Sequence, residues 1–190
     1  MTGRRYRFLK RGSVGILFLL GMVCPSAPAA EGIPEGDVKA AFVLKFIKFV
    51  EWPASAFSSS ESPIFLSVLG NDPTAASLAS LDGKTVSGRR VVVQKVPSLS
   101  ALERIHVLYV GASEKKELPA ILAVVQQRPV LTIADLEGFT GRGGTIGFIR
   151  QDDRVGFEIN EDAARKAGMK INVKLPYLGK RTRVLQGGGR

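Results

Sequence analysis

Short, almost wholly apolar runs limit what this chain can become more than any other feature. Ile105–Val110 (IHVLYV) is apolar at nearly every position, and Pro129–Ile133 (PVLTI) repeats the pattern. A strand alternates its side chains between two faces, so a run apolar at consecutive positions is buried on both. Ile64–Leu69 (IFLSVL) is a third β-rich run, closed by Gly70-Asn71-Asp72-Pro73. Helical stretches lie between. Pro73 opens a predicted helix over Thr74–Leu81. Ser113 can cap one over Lys115–Gln127. Asn160 can cap a last one, with Glu161 and Asp162 at its start, Arg165 and Lys166 at its end, and Gly168 beyond. Thr85–Val96 holds two extended pieces around Gly88, Asp82-Gly83 is a turn, and Ser98–Arg104 is a helical turn or two. Thr145–Ile149 and Val155–Glu158 read as a hairpin joined by Arg150–Arg154, and Lys170–Leu175 as a last strand or an extended tail. Strands alternating with helices predict an α/β fold. It is a single three-layer domain, a mostly parallel sheet with helices on both faces.

The strongest predicted helix is 37–52 (DVKAAFVLKFIKFVEW). Asp37 can accept hydrogen bonds from the first amides. Val38, Ala41, Phe42, Leu44, Phe46, Phe49 and Val50 cover most of the circumference, leaving Lys45, Lys48 and Glu51 as a narrow polar stripe. Such a helix is mostly buried. Pro53 pushes Trp52 out of helical geometry and ends it, and a Ser-rich connection runs on to Pro63.

Residues 1–29 read as a cleaved signal peptide: Arg4, Arg5, Arg7, Lys10 and Arg11, then an apolar run from Val14 to Val23, then Ala27-Pro28-Ala29. Whether export is Sec or twin-arginine stays open. The whole chain of 190 residues has a net charge of +10, which looks like a nucleic-acid signature. Cleavage removes five of the 27 basic residues and none of the 17 acidic ones, leaving +5, and it removes the single cysteine, Cys24. The basic clusters Lys115-Lys116 and Lys180-Arg181-Arg183 lack interleaved aromatic residues and read as solvated surface, so no nucleic-acid partner is expected. The expected organisation is 1–29 signal peptide, 30–180 folded domain and 181–190 flexible tail.

The chemistry-bearing motifs are few. The glycines of Thr140-Gly141-Arg142-Gly143-Gly144-Thr145 lead into a strand rather than into a helix, and the phosphate-loop lysine is missing. A turn before a strand is the better reading. His106, the only histidine, sits in an apolar strand and reads as a packed residue. With one cysteine and one histidine, no metal site or cofactor is expected. Asp152-Asp153 reads as a solvated hairpin turn. Glu158 closes an apolar strand in Phe157-Glu158-Ile159-Asn160. Carboxyl ends of strands collect ligands in α/β sheets, so Glu158 with Asn160 is a candidate ligand site. Capping of the following helix is the competing role.

Several strings, in order, resemble one family. They are Lys39-Ala40-Ala41-Phe42-Val43-Leu44-Lys45-Phe46, Phe49-Val50-Glu51-Trp52-Pro53, Val68-Leu69-Gly70-Asn71-Asp72-Pro73 and Gly83-Lys84-Thr85-Val86-Ser87-Gly88-Arg89. His106-Val107-Leu108-Tyr109-Val110, Val130-Leu131-Thr132-Ile133, Gly143-Gly144-Thr145-Ile146 and Phe157-Glu158-Ile159-Asn160 follow. Over about 35–178 the chain resembles the YfiR-like family of periplasmic regulators. The resemblance implies an exported α/β domain that is not an enzyme. It implies a protein that dimerises and binds the periplasmic sensor region of an inner-membrane diguanylate cyclase or other envelope sensor protein. Holding that cyclase off lowers cyclic-di-GMP and disfavours biofilm. One departure is chemical. Relatives often place a cysteine where this chain has Ile105, so a disulfide-based response is not expected here. The tail from Lys174, with Pro176, also fits the family ending poorly.

The expected function is therefore a periplasmic, non-enzymatic regulator acting by protein–protein contact. Its candidate partner-binding residues are Phe46, Phe49 and Trp52, with the Ser-rich loop beside them. The alternative is a periplasmic small-molecule binding module anchored on Glu158 and Asn160.

Overall fold

The computed structural model describes residues 32–101, 104–151, 154–172 and 182–185. The expected signal peptide, the Asp152-Asp153 pair and the segment 173–181 lie outside the described residues. The elements run α1 (Glu35–Phe49), β1 (Val50–Glu51), β2 (Ile64–Leu69), α2 (Pro73–Ser77), β3 (Thr85–Val86), β4 (Arg89–Val96) and β5 (Val107–Val110). Then come α3 (Leu118–Val125), β6 (Leu131–Ala134), β7 (Ile146–Gln151), β8 (Arg154–Asn160), α4 (Glu161–Lys166), β9 (Lys170–Ile171) and β10 (Thr182–Leu185).

The fold is mixed α/β around a mostly parallel sheet of order β10-β8-β7-β6-β5-β2-β4-β3. Strands β4, β2, β5, β6 and β7 are mutually parallel. Counted in chain order, these five lie 2-1-3-4-5, the arrangement whose reversal of direction falls between β2 and β5. Strand β8 returns antiparallel to β7, and β10 runs parallel to β8. The first parallel strands confirm the two-sided burial expected of them. Val107 and Tyr109 of β5 join the cluster that holds Ala40, Val43, Phe46 and Ile47 of α1. Their neighbours Leu108 and Val110 join a second cluster with Leu118, Ile121, Leu122 and Val125 of α3.

Several elements differ from the sequence expectation. Helix α1 starts at Glu35 with Pro34 at the cap position, so Asp37 sits inside the first turn rather than at the cap. Gly36 lets this end close onto α2: a Cβ there would stand 2.9 Å from the Pro73 carbonyl oxygen. The helix also stops at Phe49, because Val50 turns extended and Val50–Glu51 pairs antiparallel with Lys170–Ile171. Its buried residues Gly36, Lys39, Ala40, Val43, Phe46 and Ile47 form one face, so α1 is amphipathic rather than buried all round. Ser113 itself lies in a 3-10 turn, Ala112–Glu114, that precedes α3, and its hydroxyl accepts from the Asn71 amide instead of capping a helix. Strands β7 and β8 extend further than expected and shrink the hairpin connection. Thr182–Leu185, inside the expected tail, forms strand β10 at the sheet edge. Asn160 caps α4 as expected, accepting from the Ala163 amide at 2.9 Å. Gly168 follows at φ +73°, the left-handed closure predicted for it.

Candidate functional site

The register aligns one row across the sheet: Val96, Leu69, Val110, Ala134, Gly147 and Glu158. The first four end their parallel strands. Glu158 reaches the same row from the opposite direction, because β8 runs antiparallel to β7. This carboxyl edge is where α/β sheets receive ligands, above all at the reversal between β2 and β5. Here that crevice is filled by the chain itself. The Tyr109 hydroxyl donates to both Asp72 carboxylate oxygens, at 2.9 and 3.1 Å. Asp72 also accepts from the Ala75 amide at 2.7 Å, capping α2, and from the Ala112 amide at 3.0 Å. The loops meet so closely that a Cβ on Gly111 would lie 2.7 Å from the Asn71 nitrogen. Burial, reinforced by the Asp72 charge, pushes the Tyr109 phenol far above its ordinary value and keeps it a donor.

One strand further along, the same edge carries charge. Lys39 lies on the buried face of α1, with its side chain 8% exposed. Its ammonium stands 2.5 Å from Glu35 Oε1 and 2.5 Å from Asp135 Oδ2, and 5.7 Å from the Phe148 ring centroid. Burial works against this charge, but the bonds to Asp135 and Glu35 prevail and raise the Lys39 pKa. The bond from Lys39 likewise lowers the Glu35 pKa, and Arg150 pairs with Glu35 from the other side. Beside this cluster opens a cleft of about 640 Å³ lined by Asp135, Thr140, Phe148, Arg150 and Glu158 among others. Glu158 accepts from the Thr140 hydroxyl at 2.9 Å, and Asn160 Nδ2 donates to the Thr140 carbonyl at 2.8 Å. Both predicted ligand residues thus converge on Thr140. They line different cavities, however, because Asn160 faces a separate one of about 570 Å³ between α3 and α4. The glycine-rich turn between β6 and β7 is packed at its strand end, where a Cβ on Gly144 would lie 2.2 Å from the Phe139 ring, and exposed at Gly141.

The aromatic residues sort into core and shelf. Phe46 is fully enclosed, its ring against Phe42, Phe148 and Phe157. Phe49 and Trp52 are half-buried at the end of α1 and just beyond it. Trp52 meets Phe57 edge-on, and its buried indole Nε1 has no hydrogen-bond partner among the described residues. Phe57 stacks on His106 at 4.5 Å, His106 on Phe65 at 5.9 Å, and the Arg89 guanidinium covers Phe57 at 3.9 Å. Sequence reasoning missed Lys39, Asp135, Asp72, Phe57 and Arg89. A signal existed for Lys39, which shares the spacing of Gly36, Ala40, Val43 and Ile47 and so needs a partner in the fold.

Taken together, these features define a small α/β domain that offers an aromatic shelf and a charged sheet edge, with its nucleotide-type crevice closed. The chain belongs to the YfiR/HmsC-like family, whose model matches residues 36–180. The family is periplasmic and regulatory, acts in cyclic-di-GMP signalling through diguanylate cyclases, and is not a known enzyme family. A crystal structure of a conserved domain protein from Vibrio cholerae is similar in fold, with a TM-score of 0.50 and 11% identity. The match covers 80% of this chain and 61% of that one, so the chain spans about three fifths of its length. No curated protein matches the chain.

Proposed function

We propose that this chain is an exported, non-enzymatic regulator that binds the periplasmic sensor region of an inner-membrane signalling protein and represses a diguanylate cyclase. The match to the YfiR/HmsC-like family over nearly all of the folded region carries this reading. The three-layer scaffold, with α1 and α3 on opposite faces of the sheet, presents the surface. Phe49 and Trp52, with Phe57 of the Ser-rich loop, are the anchors, since half-buried aromatics concentrate binding energy at interfaces. Phe46 supports them from the core. Capture of envelope proteins with the purified chain tests the proposal. A membrane cyclase should be recovered by the wild type and lost with Trp52→Ala; recovery undiminished by Trp52→Ala would remove the shelf from the interface.

A second reading follows from the 640 Å³ cleft: a small-molecule binding module with Glu158 as anchor. In a thermal-shift screen, a specific ligand raises Tm, and Glu158→Ala should abolish the shift. An unchanged shift would place the ligand elsewhere.

A further inference from the structure

Two side chains, His106 and Arg89, hold the Ser-rich loop after Pro53 against the sheet. His106 Nδ1 accepts from the Phe65 backbone amide at 3.1 Å. An amide can only donate, so Nδ1 carries no proton and the neutral ring holds its hydrogen on Nε2. That hydrogen is donated to the Ala56 carbonyl at 2.9 Å. The ring is sandwiched between Phe57 of the loop and Phe65 of β2. Arg89 completes the closure, donating to the Ser59 and Ser62 carbonyls at 3.0 and 2.7 Å while covering Phe57. The backbone of His106 is held separately, its amide donating to the Phe65 carbonyl and its carbonyl accepting from the Leu131 amide. The strand can therefore stay in place when the ring and the loop part.

We propose that His106 is a proton-operated latch on loop 54–62, and that protonating its ring releases the loop and uncovers Trp52 and Phe57. An imidazolium would set a second N–H against the Phe65 amide, donor against donor, within the stack between Phe57 and Phe65. Arg89 of β4 is the charged group acting on the ring, and it opposes the added positive charge. Arg104 on the same segment and Glu61 in the loop are exposed, and both ring nitrogens already have other partners. Burial, with the Arg89 charge behind it and against the bond to Ala56, sets the His106 pKa below its ordinary 6.5. The released loop regains that ordinary value, so acid favours release. The open population rises as pH falls from about 6.5 and levels off below the pKa of the closed form. The consequence for regulation, an acid-gated docking surface, rests on the proposed function. The latch itself does not.

The chain has one histidine and one tryptophan, so both can be followed in the same sample of purified protein without a partner. The ring proton of His106 should titrate below 6.5. Over the same window Trp52 emission should shift to the red, and chymotryptic cleavage after Phe57, normalised at each pH to an unstructured peptide of the same sequence, should rise by at most tenfold per pH unit. His106→Asn keeps an acceptor for the Phe65 amide but cannot titrate, so both changes should vanish. Titration of His106 with unchanged Trp52 emission and unchanged cleavage would overturn the latch. So would titration at or above 6.5. These wild-type readings decide the matter even if the variant fails to fold, and failure would leave the regulator reading standing.

Discussion

Replacing Tyr109 by Phe should cost the protein about 2 kcal/mol, the worth of one hydrogen bond to a charged group. The change removes one atom and nothing else. The ring is fully buried and keeps its packing, so the substitution opens no cavity large enough to add a sizeable second penalty. What is lost is the hydroxyl that donates to both oxygens of Asp72 and is itself hydrogen-bonded by the buried Thr74 side chain. The carboxylate keeps the Ala75 and Ala112 amides, so the network weakens without collapsing. For a domain of this size the loss corresponds to a fall of roughly 4–8 °C in Tm. Urea unfolding should show a lower midpoint at an unchanged slope. The double-mutant cycle with Asp72→Ala isolates the pair, and its coupling energy should be about 1–2 kcal/mol. If Tyr109→Phe proves neutral, or the two changes simply add, this bond is not what closes the crevice between β2 and β5.

Lys39→Met should destabilise by about 2 kcal/mol, less than for a fully enclosed pair because Asp135 and Glu35 are more than a third exposed. The Lys39 pKa is raised, so its contribution is complete below the ordinary 10.5 and fades as pH rises through the folded value. The stability gap between wild type and variant should accordingly be constant from neutral pH to about 10.5 and narrow above it. Gly144→Ala should cost about 3 kcal/mol or more by driving a methyl into the Phe139 ring, read as a shifted urea midpoint. Phe46→Ala should lose about 3–5 kcal/mol through the cavity it leaves, while the folded fraction still captures the partner. Trp52→Ala should show the reverse balance: a smaller stability loss than Phe46→Ala, because the indole is only half-buried against the core, and lost capture.

The strands were legible because their chemistry is one-sided. Runs such as Val107–Val110 and Leu131–Ala134 are apolar at nearly every position, so burial on both sides followed from their pattern. Asn160 and Gly168 were legible because capping is local. The ends of α1 were not. Its last turn yields to a pairing between Val50–Glu51 and Lys170–Ile171, more than a hundred residues apart in sequence, which no local preference encodes. Ser113 has the chemistry of a cap but serves the Asn71 amide across the crevice, a tertiary use of the same hydroxyl. Glu158 was picked out for standing at a strand end. It does reach the carboxyl edge, through the antiparallel return of β8, and accepts from the Thr140 hydroxyl there. Phe46, Phe49 and Trp52 look alike in sequence, and only packing separates the enclosed ring from the two half-buried ones. His106 was expected to be a packed residue, and it is. What the sequence could not reveal is that both its nitrogens are committed, one to β2 and one to the loop.

The most direct measurement is intracellular cyclic-di-GMP in cells lacking this chain, restored with either the wild type or Trp52→Ala. Repression through the aromatic shelf predicts a rise on deletion, a return to the starting level with the wild type, and no return with Trp52→Ala exported in equal amount. A level unchanged by deletion would contradict the account.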